Sequence, residues 1–314
     1  MATSVTPHAA ARAAFTGLID YAGLFPPAQL DMKEAVAEYG AARMSPNAWL
    51  LARFIVPESR LAEFLDQRAE LDGERFPLSV IVDAGDDPRA WFGRVQSALE
   101  GIAKLQSAGI RVEALEAALP PLLSLRETYD ATIGQYAAAV AQAGLRDLPS
   151  FIEVPRNDRR RDLLPGAIAA MHRHRLGAKL RCGGLNADAV PPVLDVATFL
   201  VEARDEGVAF KATAGLHHPI RGYNEASGFV MHGFLNLLVA AVLAKSGASL
   251  DELVAVLEDD DETQFRLNSD TLHWKALAFT AESIAETRAQ SFAGYGSCSF
   301  DEPLSDLRSL GMIA

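Results

Sequence analysis

Six short, apolar, β-branched runs recur along this chain. Each is stopped by Pro, Gly or Asp, and most are followed by a longer stretch with helical periodicity. They are WLLARFIVP (49–57), FPLSVIVDAG (76–85), IRVEALEAALP (110–120), SFIEVPRN (150–157), LGAKLRCGG (176–184) and VAFKATAG (208–215), and YGSCSF (295–300) reads as a final strand. Between them lie patterns such as DPRAWFGRVQSALEGIAKLQSAG and VPPVLDVATFLVEARDEG. Strands that alternate with helices of this length make βαβ units and a parallel sheet. Six or seven units in one chain predict an irregular (β/α)8 TIM-like barrel, an α/β fold. The doubly wound open sheet is the competing arrangement, but no G-x-G-x-x-G follows the first strand.

Two regions interrupt the repeat. Residues 1–48 precede the first clear strand and are expected to be an N-terminal extension packed on a single barrel domain, 49–314. Within it, LIDYAGLFPPAQLDM (18–32) carries aromatic and apolar groups that water does not accommodate cheaply. It reads either as a plug at one barrel end or as a flap whose Asp20 and Tyr21 reach a ligand. After residue 222 the pattern is mostly helical to about 290, a helical insertion before the last strand, with TQFRLN (263–268) as a weak candidate for the seventh strand. EDDDE (258–262) reads as a solvated loop.

Strand side chains alternate between faces. In AKLRC, Ala178, Leu180 and Cys182 share one face, and Lys179 and Arg181 share the other. In VAFKAT, Val208, Phe210 and Ala212 oppose Ala209, Lys211 and Thr213. The apolar faces must meet the helices, so Lys179, Arg181, Lys211 and Thr213 turn into the barrel near the C-terminal strand ends, where barrel enzymes build their sites. The same parity turns Glu153 inward. The choice of lysine stands out: the chain has 23 arginines and six lysines. Only lysine loses its proton readily when buried. An inward lysine paired with Glu153 is the plain structural reading. Three cations at one mouth instead ask for an anion, such as a substrate carboxylate or phosphate, and their repulsion is expected to lower at least one lysine pKa. A neutral amine is what an imine requires.

The loop GLHHPIRGYN adds His217 and His218 as acid–base candidates and Arg221 as a binding group, against a reading as loop histidines bonded to backbone. His232 and Asn236 lie four apart on one helix face, lining a pocket or satisfied in the core. Gly296 and Ser297 offer backbone amides to an anion. No metal is expected, since H-x-H occurs only in MHRHR (171–175), on a surface-like helix. No cofactor is expected either. A net charge of −12 argues against nucleic acid. The longest apolar stretch, GFVMHGFLNLLVAAVLA, is shorter than the roughly 18–20 residues of a span and holds His232 and Asn236, so no membrane partner is expected. The first residues lack a secretory signal and there are two cysteines, which fits a cytoplasmic protein. A homo-oligomer is left open.

KLRCGGL and KATAGLHHPIR, with a helical stretch between them, resemble the class I aldolases of the deoxyribose-phosphate aldolase type over residues 176–222. Those barrels carry two lysines, each in a K-x-x-x-G strand end, on successive strands. The resemblance implies Lys179 as the Schiff-base lysine, Lys211 as the neighbour that tunes it, and GYGSCS as a phosphate loop. The chain departs from that pattern in RCGG, in the His217–His218 pair and in the long helical segment before the last strand. The expected function is an enzyme acting on a small anionic metabolite by lysine-assisted, aldolase-type lyase chemistry. Two alternatives stand beside it: a metal-assisted hydrolase or lyase using His217, His218 and His232, and a non-catalytic metabolite-binding barrel.

Overall fold

In the computed structural model, which describes residues 8–67, 76–85, 87–122, 127–157 and 159–314, eight parallel strands close into a barrel. We label them β1 (Ile19–Tyr21), β2 (Leu51–Pro57), β3 (Leu78–Val82), β4 (Val112–Ala118), β5 (Ser150–Glu153), β6 (Gly177–Arg181), β7 (Phe210–Thr213) and β8 (Phe292–Ser297). Each strand lies beside its predecessor, and the ring closes by β1 against β8, with Asp20 opposite Gly296. Helices Met32–Met44, Leu61–Asp66, Pro88–Ser107, Asp130–Gln142, Arg160–His174 and Val193–Asp205 follow the first six strands in turn. This is an α/β TIM-like barrel. No described helix is long and apolar enough to cross a membrane.

The stretch expected as a plug or flap supplies the ring's first strand. Residues 1–7 of the expected extension lie outside the described residues. TQFRLN does not join the barrel: Phe265–Leu267 pairs antiparallel with Thr271–Trp274 in a separate three-stranded sheet completed by Leu277–Thr280. The expected helical insertion before the last strand is present, as helices Phe234–Lys245 and Leu250–Glu258, that small sheet and helix Ala281–Gln290. Apart from Asn236, helix Phe234–Lys245 is apolar on every side as far as Ala244, and from Phe234 to Ala244 every residue is buried.

Local signals start several helices. Asp31 accepts from the Glu34 amide at the head of Met32–Met44, and Asp87 caps Pro88–Ser107 with proline in its first turn. Outside the barrel, Tyr21, Tyr39, Phe54, Phe64 and Phe76 form an aromatic cluster, with Tyr39 and Phe76 centroids 4.7 Å apart. Fully burying each such ring contributes on the order of 2–3 kcal/mol. Inside the barrel a glycine lets strand backbones approach closely. Gly294 lies opposite Lys211, and a Cβ there would meet the Leu18 carbonyl oxygen at 2.6 Å.

Candidate active site

The strands deliver charged side chains to the barrel interior, where they form one alternating chain. The Glu113 carboxylate lies 3.3 Å from Arg53 Nε, and Arg53 Nη1 lies 3.5 Å from Asp20 Oδ1. Asp20 pairs with Lys211, and Lys211 with Glu116. Glu116 Oε2 is 2.8 Å from Lys179 Nζ, which is 3.7 Å from Glu153 Oε2. The series ends at Arg181, whose Nε donates to Glu153 Oε1 at 2.6 Å. β3 adds Ser79, whose hydroxyl donates to Glu116 Oε1 at 2.6 Å. Register explains the convergence: Glu153, Lys179 and Lys211 are direct partners across β5, β6 and β7. Asp20, Glu116, Lys179 and Lys211 are each at most 2% exposed.

Burial alone would raise the Glu116 pKa, but the ammonium groups of Lys179 and Lys211 outweigh it and hold the carboxyl well below its ordinary range. Burial likewise pulls Lys211 down, and the carboxylates of Asp20 and Glu116 overcome that, so its pKa is raised. The expected depression by cation repulsion therefore does not occur at Lys211. The physical reason is that β1 and β4 bring two carboxylates the parity argument had not counted. Lys179, Lys211, Arg181 and Arg53 face Glu113, Asp20, Glu116 and Glu153, and the protein itself supplies the offsetting anions.

Above this chain a cavity of about 310 Å³ opens at the strand C-terminal ends. Lys179, Arg181, Thr213, His217, Gly296 and Ser297 line it, with Phe25, Ile55, Ile81 and Leu185 as apolar wall. Lys211, Glu116 and Asp20 are not in its wall. Of the two lysines, Lys179 meets the cavity and Lys211 backs it through Glu116. His217 also holds Glu302, with Nδ1 at 3.1 Å from the carboxylate. The Ser297 hydroxyl donates to the Ser299 carbonyl at 2.6 Å. Burial raises both thiols, that of Cys182 to about 12, which suits neither to thiolate chemistry.

Several candidates lie elsewhere. Tyr21, one residue on from inward Asp20, faces the helix layer by strand alternation and donates to Glu38. His218 pairs with Asp306 at 2.7 Å and with Asn224 at 3.0 Å. His232 is buried, its Nε2 donating to the Pro191 carbonyl, and burial lowers its pKa. Asn236 is a core fastener: it accepts from the Arg221 amide and donates to the carbonyls of Val256 and Asp259, each at 2.8 Å. Arg221 is thus joined to that fastener through its backbone and does not line the cavity. Because His217, His218 and His232 have separate partners, they do not form a ligand set. Among the described residues no three His, Cys, Asp or Glu side chains gather as a metal site.

The paired K-x-x-x-G pattern has a direct steric cause. Gly183 and Gly215, each four residues past its lysine, touch backbone to backbone. A Cβ on Gly183 would lie 2.8 Å from the Gly215 Cα, and the converse distance is also 2.8 Å. Gly215 also has φ +69°, which favours glycine. Glu116 was missed because strict alternation puts the two glutamates of VEALEAA on opposite faces, whereas the strand register shifts at Glu113. The small Ala114 and Ala118 beside Glu116 on one face, against Leu115 and Ala117 on the other, were the available signal.

No family model matches the chain, and no curated protein matches it. Among solved structures it is similar to the tetrameric deoxyribose phosphate aldolase from Aeropyrum pernix. The two are 13% identical with a TM-score of 0.51, and the match covers 95% of this chain and 93% of that one. At this identity the likeness is one of fold, and the fold it supports is the closed parallel barrel described above.

Proposed function

We propose that this protein is an aldolase-type lyase that forms an imine between Lys179 and the carbonyl of a small metabolite. The observation that carries the reading is the position of Lys179: the residue borders the cavity, and two carboxylates, Glu116 and Glu153, lie 2.8 and 3.7 Å from its amine. An amine must shed a proton before it attacks a carbonyl. Glu116, held ionised between two ammonium groups, is a poor acceptor. Glu153, nearer the mouth, takes the proton and returns it as the carbinolamine loses water. The protonated imine then carries its positive charge where the ammonium was, between the same carboxylates, so the alternating chain stays balanced. That charge draws electrons from the neighbouring carbon–carbon bond as it breaks or forms. Lys211, kept protonated by Asp20 and Glu116, fixes the electrostatic environment without competing as a nucleophile. The likeness in fold to an aldolase supports the class of chemistry, and the tetrameric neighbour supports a homo-oligomer.

Borohydride reduction in the presence of acetaldehyde or pyruvate tests the reading. The expected result is a reduced adduct on Lys179, mapped by mass spectrometry and lost in Lys179→Arg, which keeps charge without a usable nucleophile. Absence of any adduct across small aldehydes and ketones overturns it in favour of a binding barrel. An adduct confined to Lys211 overturns the assignment of the imine to Lys179.

A further inference from the structure

Arg160 is a buried cation that the alternating chain does not use. It opens helix Arg160–His174 and is 6% exposed. Its Nε has no hydrogen-bond partner, and among the described residues it forms no ion pair. Leaving a guanidinium buried and unpaired is costly, and burial lowers its pKa against the pull of Asp195 and Glu153. It lines a groove of about 970 Å³ beside the barrel mouth.

The other cations of that groove are mostly engaged. Arg181 holds Glu153, and Arg161 holds Asp195 at 2.9 Å. Arg156 is exposed and spends one donor on the Asp188 backbone carbonyl. Among the described residues two guanidinium groups, Arg156 and Arg160, thus border the groove without a carboxylate partner. The carboxylates of the exposed acids on its rim, Asp83 and Asp188, pair with neither guanidinium among the described residues. The helix begins there with no side-chain cap, so its positive end adds to the same field.

We infer that this groove is an oxyanion site, for a carboxylate or a phosphate, built on Arg160 and Arg156. Planar guanidinium groups bind either group through paired charge-assisted hydrogen bonds. Arg181 and Asp83 line both the groove and the Lys179 cavity. A ligand anchored in the groove therefore extends past Arg181 toward Lys179. The oxyanion site stands on the groove alone, and only its link to Lys179 rests on the imine reading.

Inorganic phosphate and malonate, titrated calorimetrically at low ionic strength, serve as probes. At least one is expected to bind the wild type with one site per chain and to raise its melting temperature. Arg156→Gln and Arg160→Met are each expected to weaken that binding about tenfold or more. Arg160→Met is also expected to melt no lower than wild type without the probe, since it removes an unpaired buried charge. Should Arg160→Met fail to fold, the exposed Arg156→Gln decides alone. The inference is overturned if neither probe binds at tens of millimolar, or if both bind Arg156→Gln as tightly as wild type. Borohydride trapping of an uncharged aldehyde on Lys179 should persist in Arg156→Gln, so failure of the groove and failure of the imine are read separately.

Discussion

Replacing Glu116 by glutamine removes one charge from the middle of the barrel and almost nothing from its shape. Lys179 and Lys211 then lose their shared partner in a site 1% exposed. At 2.8 Å from Lys179, the gross attraction is about 6 kcal/mol at an effective dielectric near 20. Desolvation of the carboxylate cancels much of that, so the net loss on deleting one partner is about 3–5 kcal/mol. For a chain of this size that corresponds to a fall in melting temperature of roughly 5–8 °C, read by calorimetry at pH 7. The sign with pH follows from the lowered pKa of Glu116. Its contribution is complete above the unfolded value of about 4.3 and fades as pH falls through the lower folded value. The wild-type and E116Q stabilities should therefore converge in acid. A double-mutant cycle adds a second reading: Lys211→Met should cost less in the E116Q background than in the wild type. A melting temperature within 2 °C of wild type at pH 7, or strictly additive effects in the cycle, would refute the reasoning.

Gly215→Ala should cost about 1–3 kcal/mol in urea unfolding, since its Cβ would press on the Gly183 loop at a positive φ; a neutral result would remove the steric account of the paired motif. Asn236→Leu should destabilise by about 2–3 kcal/mol, because it leaves the Arg221 amide and two carbonyls without their partner, yet it should leave borohydride trapping on Lys179 intact once the protein is folded.

The barrel was legible because alternation of strand and helix repeats often enough to outweigh errors in single elements. The inward aim of Lys179 and Lys211 was legible because leucine, phenylalanine and alanine mark the opposite face so clearly. β1 was not: Ile19–Tyr21 is three residues long and buried on both faces, so no alternation is visible. With β1 hidden, Asp20 could be placed only as a loop candidate, and its pairing with Lys211 was out of reach. Glu116 is separated from Lys211 by 95 positions, and nothing local ties the two. The charge balance is a property of ring closure, which no short window of sequence carries. Arg160 was hidden differently, within an arginine-rich run (RRR) whose members look alike until one of them is buried.

The alternating charges also bear on how the chain folds. A barrel assembled from β2 to β8 would hold Arg53, Lys179, Lys211 and Arg181 against Glu113, Glu116 and Glu153, one positive charge in excess. The missing anion is Asp20, on the shortest barrel strand and the first to leave the ribosome. β1 brings few backbone hydrogen bonds of its own, yet its arrival neutralises the interior. An open or seven-stranded intermediate thus carries an electrostatic fault that only the native first strand repairs. Selection of the closed ring over its near relatives is in this sense written in one aspartate, and a synthetic peptide spanning the first strand would be expected to dock on a chain lacking it only while that aspartate is present.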